Sequence, residues 1–279
     1  MKKLAIILIT VQFWSCSSSE SKFSNEPQEY SRINLIDWQD DYSVERSEPN
    51  YTDNLIYNDC LEVVYEYHYL KNDSIKYFEQ TGYPEWKFID SIELTNNTGV
   101  KRIRVTANNP NKSYDNPPQS AVTYEHLNFT NEVIATATTG VIENYKNIVI
   151  HNPRAGFFMS LFSFPWPSVK FPIKENNSWT WNFSYDSSFY GDSRLFKWDG
   201  ITEMKYEYKY LGEETINLKF GEVATSKFEA IGTNGTITNR LTYHFNSKIG
   251  FVKQTFNTFD GATIELYAVE YKDKCNKDQ

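Results

Sequence analysis

The chain has 279 residues, including 7 Trp, 20 Tyr and 19 Phe, and its 36 acidic against 28 basic side chains give a formal charge of −8. That length can bury one large core or two ordinary ones, and 16% aromatic content excludes wholesale disorder. The acidic balance argues against a nucleic-acid backbone as partner, and 3 Cys with 4 His leave little material for a metal cluster.

The N-terminus carries the clearest signal. Lys2 and Lys3 precede an unbroken apolar run, Leu4 to Val11. A spanning helix needs about 20 apolar residues, so a run this short fits a secretory core instead. Phe13-Trp14-Ser15-Cys16 follows, and then the polar run Ser17-Ser18-Ser19-Glu20-Ser21. This resembles the signal of bacterial lipoproteins, in which a small residue precedes a Cys that becomes the lipidated first residue. Ser15 matches that pattern, while Phe13 and Trp14 depart from its usual Leu and small residue. Cleavage after Ser17 is the alternative.

The resemblance implies residues 1–15 as signal peptide, Cys16 as the lipid attachment site and 16–33 as a flexible tether. In such lipoproteins Ser17 rather than Asp after the Cys implies the outer membrane, with the body facing the periplasm or the cell surface. Each buried methylene of an acyl chain adds about 0.8 kcal/mol of membrane affinity, so the anchor requires no transmembrane helix. Loss of Lys2 and Lys3 leaves the mature chain at −10. Export would also put Cys60 and Cys275 in an oxidising compartment, where a disulfide between them can persist; two separate thiols are the alternative.

Past the tether the period of two dominates. Val63, Tyr65, Tyr67 and Tyr69 fall on one face of a strand. Met204, Tyr206, Tyr208 and Tyr210 do the same, opposite Lys205, Glu207 and Lys209. Asn234-Gly235 and Asp260-Gly261 predict two-residue hairpin turns, and Asn97-Thr98-Gly99 predicts a hairpin joining 87–94 to 100–107. The chain is therefore expected to be all-β, an antiparallel β-sandwich or barrel-like sheets.

Tyr65-Glu66-Tyr67-His68-Tyr69-Leu70 returns as Tyr206-Glu207-Tyr208-Lys209-Tyr210-Leu211, and at the same offset Trp38 meets Trp179. Two related β-units, 34–150 and 176–272, would explain this, and so would aromatic strands of like period imitating one another. Between them, 151–175 contains Pro153, Pro165, Pro167 and Pro172. Those prolines exclude a central strand, yet the segment is too apolar for a free linker and reads as an ordered crossover. Residues 273–279 form a tail.

The search for chemistry returns little. Gly191-Asp192-Ser193 is similar to a block of one lipase/esterase family, but no Asp-x-x-His follows, so a polar turn is expected. His68, His126, His151 and His244 lack metal-ligand spacing. Adjacent carboxylates such as Asp40-Asp41 point to opposite strand faces and do not form an acid pair across a cleft. No catalytic residue, metal or cofactor is expected. Trp166, Trp179 and Trp181 are the candidate ligand platform, a stacking surface for glycans if exposed and a core stripe if buried. Asp73-Ser74-Ile75 and Asp90-Ser91-Ile92 resemble a short O-glycosylation signal of exported proteins in some Gram-negative bacteria.

The body, with its Trp-x-Trp-x-Phe strand and late Gly250-Phe251-Val252, resembles other β-rich envelope proteins, a likeness that implies no site. The expected protein is a lipid-anchored envelope component with a binding or structural role, whose partner is a glycan, an apolar ligand or an envelope protein. A hydrolase is the outside alternative.

Overall fold

The computed structural model describes residues 55–81, 85–90, 98–108, 120–143, 146–186 and 199–275. All of them fall within one compact unit. The strands among them are β1 Leu61–Lys71, β2 Ser74–Gln80, β3 Trp86–Asp90, β4 Arg102–Asn108, β5 Ser120–Leu127, β6 Val133–Glu143 and β7 Asn147–Ile150. There follow β8 Ser168–Lys170, β9 Ser178–Asp186, β10 Ile201–Leu218, β11 Gly221–Thr233, β12 Thr238–Asn246, β13 Gly250–Asn257 and β14 Thr263–Asp273.

They form one continuous antiparallel sheet rather than two facing sheets. Its path runs β8-β7-β6-β5-β4-β1-β14-β13-β12-β11-β10-β9 and stays open, while β2 and β3 extend from β1 as a side branch. β1 pairs with β4 on one edge and β14 on the other, so the two sequence units share a central strand pair and one sheet. Cys60 and Cys275 flank that pair and are joined by a disulfide, with Cα atoms 5.3 Å apart. The backbone aligns them independently, since Lys274 N–H donates to Cys60 O at 2.8 Å.

Alternation sets the buried face. Val63, Tyr65, Tyr67 and Tyr69 of β1 are buried, as are Met204, Tyr206 and Tyr208 of β10, while Lys205, Glu207 and Lys209 are exposed. The turns depart from expectation. Asn234-Gly235 lies in a four-residue loop, because Asn234 Oδ1 accepts from the N–H groups of Thr236 (3.0 Å) and Ile237 (2.9 Å), and of the central pair only Gly235 has positive φ. Asp260-Gly261 likewise lies in a five-residue loop closed by Thr258 N–H to Ala262 O at 2.9 Å. Among the described residues no ladder joins β3 to β4, since β3 pairs with β2 whereas β4 pairs with β1 and β5; Asn97 of the expected turn lies outside them. A true two-residue turn sits instead at Asn72-Asp73, both left-handed (φ 52° and 58°), between the paired residues Lys71 and Ser74.

The proline-rich crossover is core. Its middle, Gly156–Ser163, is a 3₁₀ helix without acidic or basic residues in its end turns, and Phe157, Phe158 and Leu161 are buried. Rings from distant strands close on the segment. Phe158 meets Tyr67 and Phe78 at 5.2 and 5.0 Å, Phe164 meets Phe256 at 5.6 Å, and Trp166 meets Phe183 at 5.1 Å.

Prolines and non-strand geometry leave crossover carbonyls without ladder partners, and a buried carbonyl needs a donor. Tyrosines supply it. Tyr124, Tyr206 and Tyr208 hydroxyls donate to the carbonyls of His151 (2.6 Å), Ser163 (3.0 Å) and Trp166 (3.1 Å), and Tyr243 donates to Ser168. Burial raises the hydroxyl pKa of Tyr124, Tyr208 and Tyr243 well above the ordinary value, so they remain donors. Tyr208→Phe preserves shape but orphans the Trp166 carbonyl, and the expected loss is about 1–3 kcal/mol in urea unfolding. An unchanged midpoint would show that the hydroxyl does not support the crossover.

Candidate functional site

The expected platform is not a surface. Trp166 and Trp181 are each 3% exposed. Trp179 is half-buried against the core and stacks on Tyr208 at 5.1 Å, with the planes 4° apart. The cause is the strand itself: Trp179, Trp181, Phe183 and Tyr185 point to the face that packs on the crossover, and Trp181 is also tilted onto Tyr208 at 4.9 Å. The indoles of Trp166 and Trp181 are covered, and one face of Trp179 is taken by Tyr208, so the three do not form a shared exposed stacking surface.

A cavity does exist in the core, lined by Tyr65, Val105, Tyr124, Ile150, Gln254 and Leu266 among others. Its volume is about 10 Å³, room for about one water and far too little for an apolar ligand.

The most organised polar contacts lie elsewhere in the core. Glu143, at the end of β6, is 7% exposed and accepts backbone N–H groups from Leu55 (3.0 Å), Ile56 (2.8 Å) and Tyr57 (2.9 Å). Burial raises its pKa, and the three N–H donors oppose that shift. The clamp seats Tyr57, which is 1% exposed and accepts Phe251 N–H at its hydroxyl, 3.3 Å away. Glu143 thereby ties residues 55–57 to the end of β6. Glu143→Ala removes three charge-assisted contacts, and the expected cost is about 2–3 kcal/mol with faster protease cleavage beside Leu55. Unchanged cleavage would rule out the clamp.

His151 lies nearby, its ring 3.9 Å from that of Trp166. Arg154 Nη2 donates to its Nδ1 at 2.7 Å, and Thr139 Oγ1 lies 2.8 Å from the same nitrogen. Burial, and then the adjacent Arg154 charge, hold His151 well below the usual imidazole pKa. With Nδ1 taken by the guanidinium, the ring has no lone pair there to accept the Thr139 proton. The group is a neutral, locked support and a poor general base. Arg154 also lies over the Phe162 ring at 4.4 Å.

The opposite face of β1 carries a charge cluster. Glu66 Oε2 accepts Lys219 Nζ at 2.7 Å, and Glu66 Oε1 accepts Arg102 at 3.1 Å from Nη2. Tyr267 hydroxyl contacts both Glu66 Oε2 and His68 Nε2 at 3.2 Å. Burial opposes the charged form of Glu66, but these donors outweigh it and hold its carboxyl below the usual range. Lys219 comes from the β10–β11 end, so this cluster straps that long hairpin onto β1. The remaining histidines separate: His126 is 0% exposed among Phe78 and Phe158, and His244 Nε2 lies 3.2 Å from Glu214.

Among the described residues, the ligand-type group close enough for a metal is Cys60, Asp273 and Cys275, and the disulfide occupies both sulfurs. Cys16, Ser91-Ile92 and Gly191-Asp192-Ser193 lie outside the described residues. Sequence reasoning did not single out Glu143, Arg154 or the Glu66 cluster. For Glu143 a signal existed, an acid at an inward-facing strand end; its partners are 86 or more residues away.

No family model matches the chain, and no curated protein matches it. Solved structures do resemble it. A candidate lipoprotein from Parabacteroides distasonis is 8% identical, covering 78% of this chain and 97% of its own, at a TM-score of 0.43. A candidate exported protein with YmcC-like fold from Bacteroides fragilis is also 8% identical, covering 78% of this chain and 98% of its own, at 0.42. The hypothetical lipoprotein YmcC from Escherichia coli is 14% identical over 83% of this chain and 97% of its own, at 0.34.

Proposed function

We propose that this chain is an exported β-rich lipoprotein, held at the outer membrane by lipid on Cys16, with a non-catalytic structural role in an envelope assembly. The observation that carries the reading is the N-terminal order of Lys2-Lys3, a short apolar run, Ser15-Cys16 and a serine-rich polar run. The Cys60–Cys275 disulfide suits an oxidising compartment. A protein partner is preferred to a glycan because Trp166 and Trp181 are covered by the core.

The experiment replaces Cys16 with Ala in the full chain and follows membrane fractionation and the mass of the mature N-terminus. The expected wild-type N-terminus is acylated Cys16 in the outer-membrane fraction, with acylation and membrane retention lost in the variant. An unlipidated N-terminus that is the same in both chains, with membrane association unchanged, would sink the proposal.

A further inference from the structure

We propose that Ser74, at the tip of the β1–β2 hairpin, is an O-glycosylation acceptor, with Asp73 and Ile75 as the flanking residues the transferase reads. The inference rests on the export reading above.

The Asp73 side chain does not close the turn it stands in. In several other turns the Asn or Asp side chain does. Asn246 Oδ1 accepts from Lys248 N–H and Ile249 N–H, Asn128 Oδ1 from Thr130 N–H and Glu132 N–H, and Asp260 Oδ1 from Ala262 N–H. The Asp73 carboxylate makes no hydrogen bond or ion pair with any described residue, and the left-handed backbone there would accept Asn equally well. Asn72 and Asp73 are exposed, Ser74 is half-exposed with no hydrogen bond on its hydroxyl, and Ile75 is 43% exposed although it is a large aliphatic side chain. An idle acid, an idle hydroxyl and an uncovered Ile thus stand in a row at one protruding tip.

The second tripeptide starts at the same end of this branch. β2 and β3 pair with Lys76 opposite Asp90, so Asp90 closes the ladder two residues from Ser74. A bulky hydrophilic group on this tip would cover Ile75 and keep the β2–β3 branch from pairing with another chain.

In the transfer, Ser74 Oγ attacks C1 of a lipid diphosphate-linked sugar. The Oγ–C1 bond forms as the C1–O bond to phosphate breaks. The serine proton passes to the transferase's base, and the diphosphate leaves.

The test uses mature protein purified from the envelope of the organism that makes it. Trypsin cuts after Lys71 and Lys76 and yields Asn72–Lys76, whose one hydroxyl is Ser74. The expected result is a sugar mass on this peptide, removed by alkaline β-elimination. Ser74→Thr keeps the mass, Ser74→Ala abolishes it, and Asp73→Asn lowers occupancy at least ten-fold without changing the thermal midpoint. Asp73→Asn preserves the overlapping sequon of Asn72, so a mass that survives it and resists β-elimination sits on Asn72 and overturns the inference. A bare peptide from a chain with a processed, lipidated N-terminus overturns it and leaves the lipoprotein reading standing. A bare peptide with an unprocessed N-terminus overturns both.

Discussion

Phe158→Ala is expected to cost about 3–5 kcal/mol in urea unfolding and to lower the stability of the whole domain in one transition. Phe158 is 0% exposed and touches rings from three separate strands, Tyr67 of β1, Phe78 of β2 and His126 of β5. Its removal leaves a ring-sized void where the 3₁₀ helix cannot collapse inward, because the crossover backbone is held at both ends. Asn152 Nδ2 holds Leu161 O at 2.7 Å, and the tyrosine hydroxyls fix the carbonyls on either side. Near-UV circular dichroism should follow the same midpoint as far-UV signal. A cost under about 1 kcal/mol, or separate transitions for the two signals, would show that the crossover is not the shared core of the sheet.

Acidification from pH 7 to pH 4 is expected to remove about 3 kcal/mol of stability through His126 alone. Burial pushes this imidazole down to a pKa of about 4, against a weaker opposing contact with the Ala135 backbone that falls short of good hydrogen-bond geometry. An unfolded chain would protonate it near 6.5. Above that pH both states are neutral and the group adds no pH dependence. Between about 6.5 and 4 the unfolded chain takes up a proton that the folded chain refuses, so stability falls as pH falls.

His126→Leu removes both the proton and the unpartnered nitrogens. It should be at least as stable as wild type at pH 7 and lose about 3 kcal/mol less by pH 4. His151, also depressed by burial, remains in both chains and cancels in the difference. Equal pH slopes in the two proteins would overturn the assignment.

The alternating aromatics made the strands legible, because a period of two survives without knowledge of the partner strand. In 151–175 the prolines left room only for the short edge strand β8, and the apolar side chains between them are buried. Turn geometry was less legible. Asn234-Gly235 has turn-forming composition, but the Asn234 side chain caps a wider loop. The tightest turn, Asn72-Asp73, contains no glycine to announce it.

Strand partners were hidden for a further reason. Tyr65–Leu70 and Tyr206–Leu211 look alike in sequence, yet β1 lies between β4 and β14 while β10 lies between β9 and β11. Composition recorded that both strands bury rings; it could not record which strands cover their edges. Whether the Trp stripe is platform or core was likewise open in the sequence, since exposure depends on crossover rings meeting Phe183 and Tyr185 of the same face, and no local pattern carries that information.

The central position of β1 has a consequence for how the chain comes into being. Its partner β14 is the last strand, with Leu61 opposite Asp273 and Val63 opposite Tyr271. During synthesis the N-terminal half is complete long before the edge it needs has been made, and β4 alone leaves the other side of β1 open. Pairings this distant in sequence form slowly. The centre of the sheet therefore closes last, after the local antiparallel pairs such as β4–β5 and β5–β6 have had time to form.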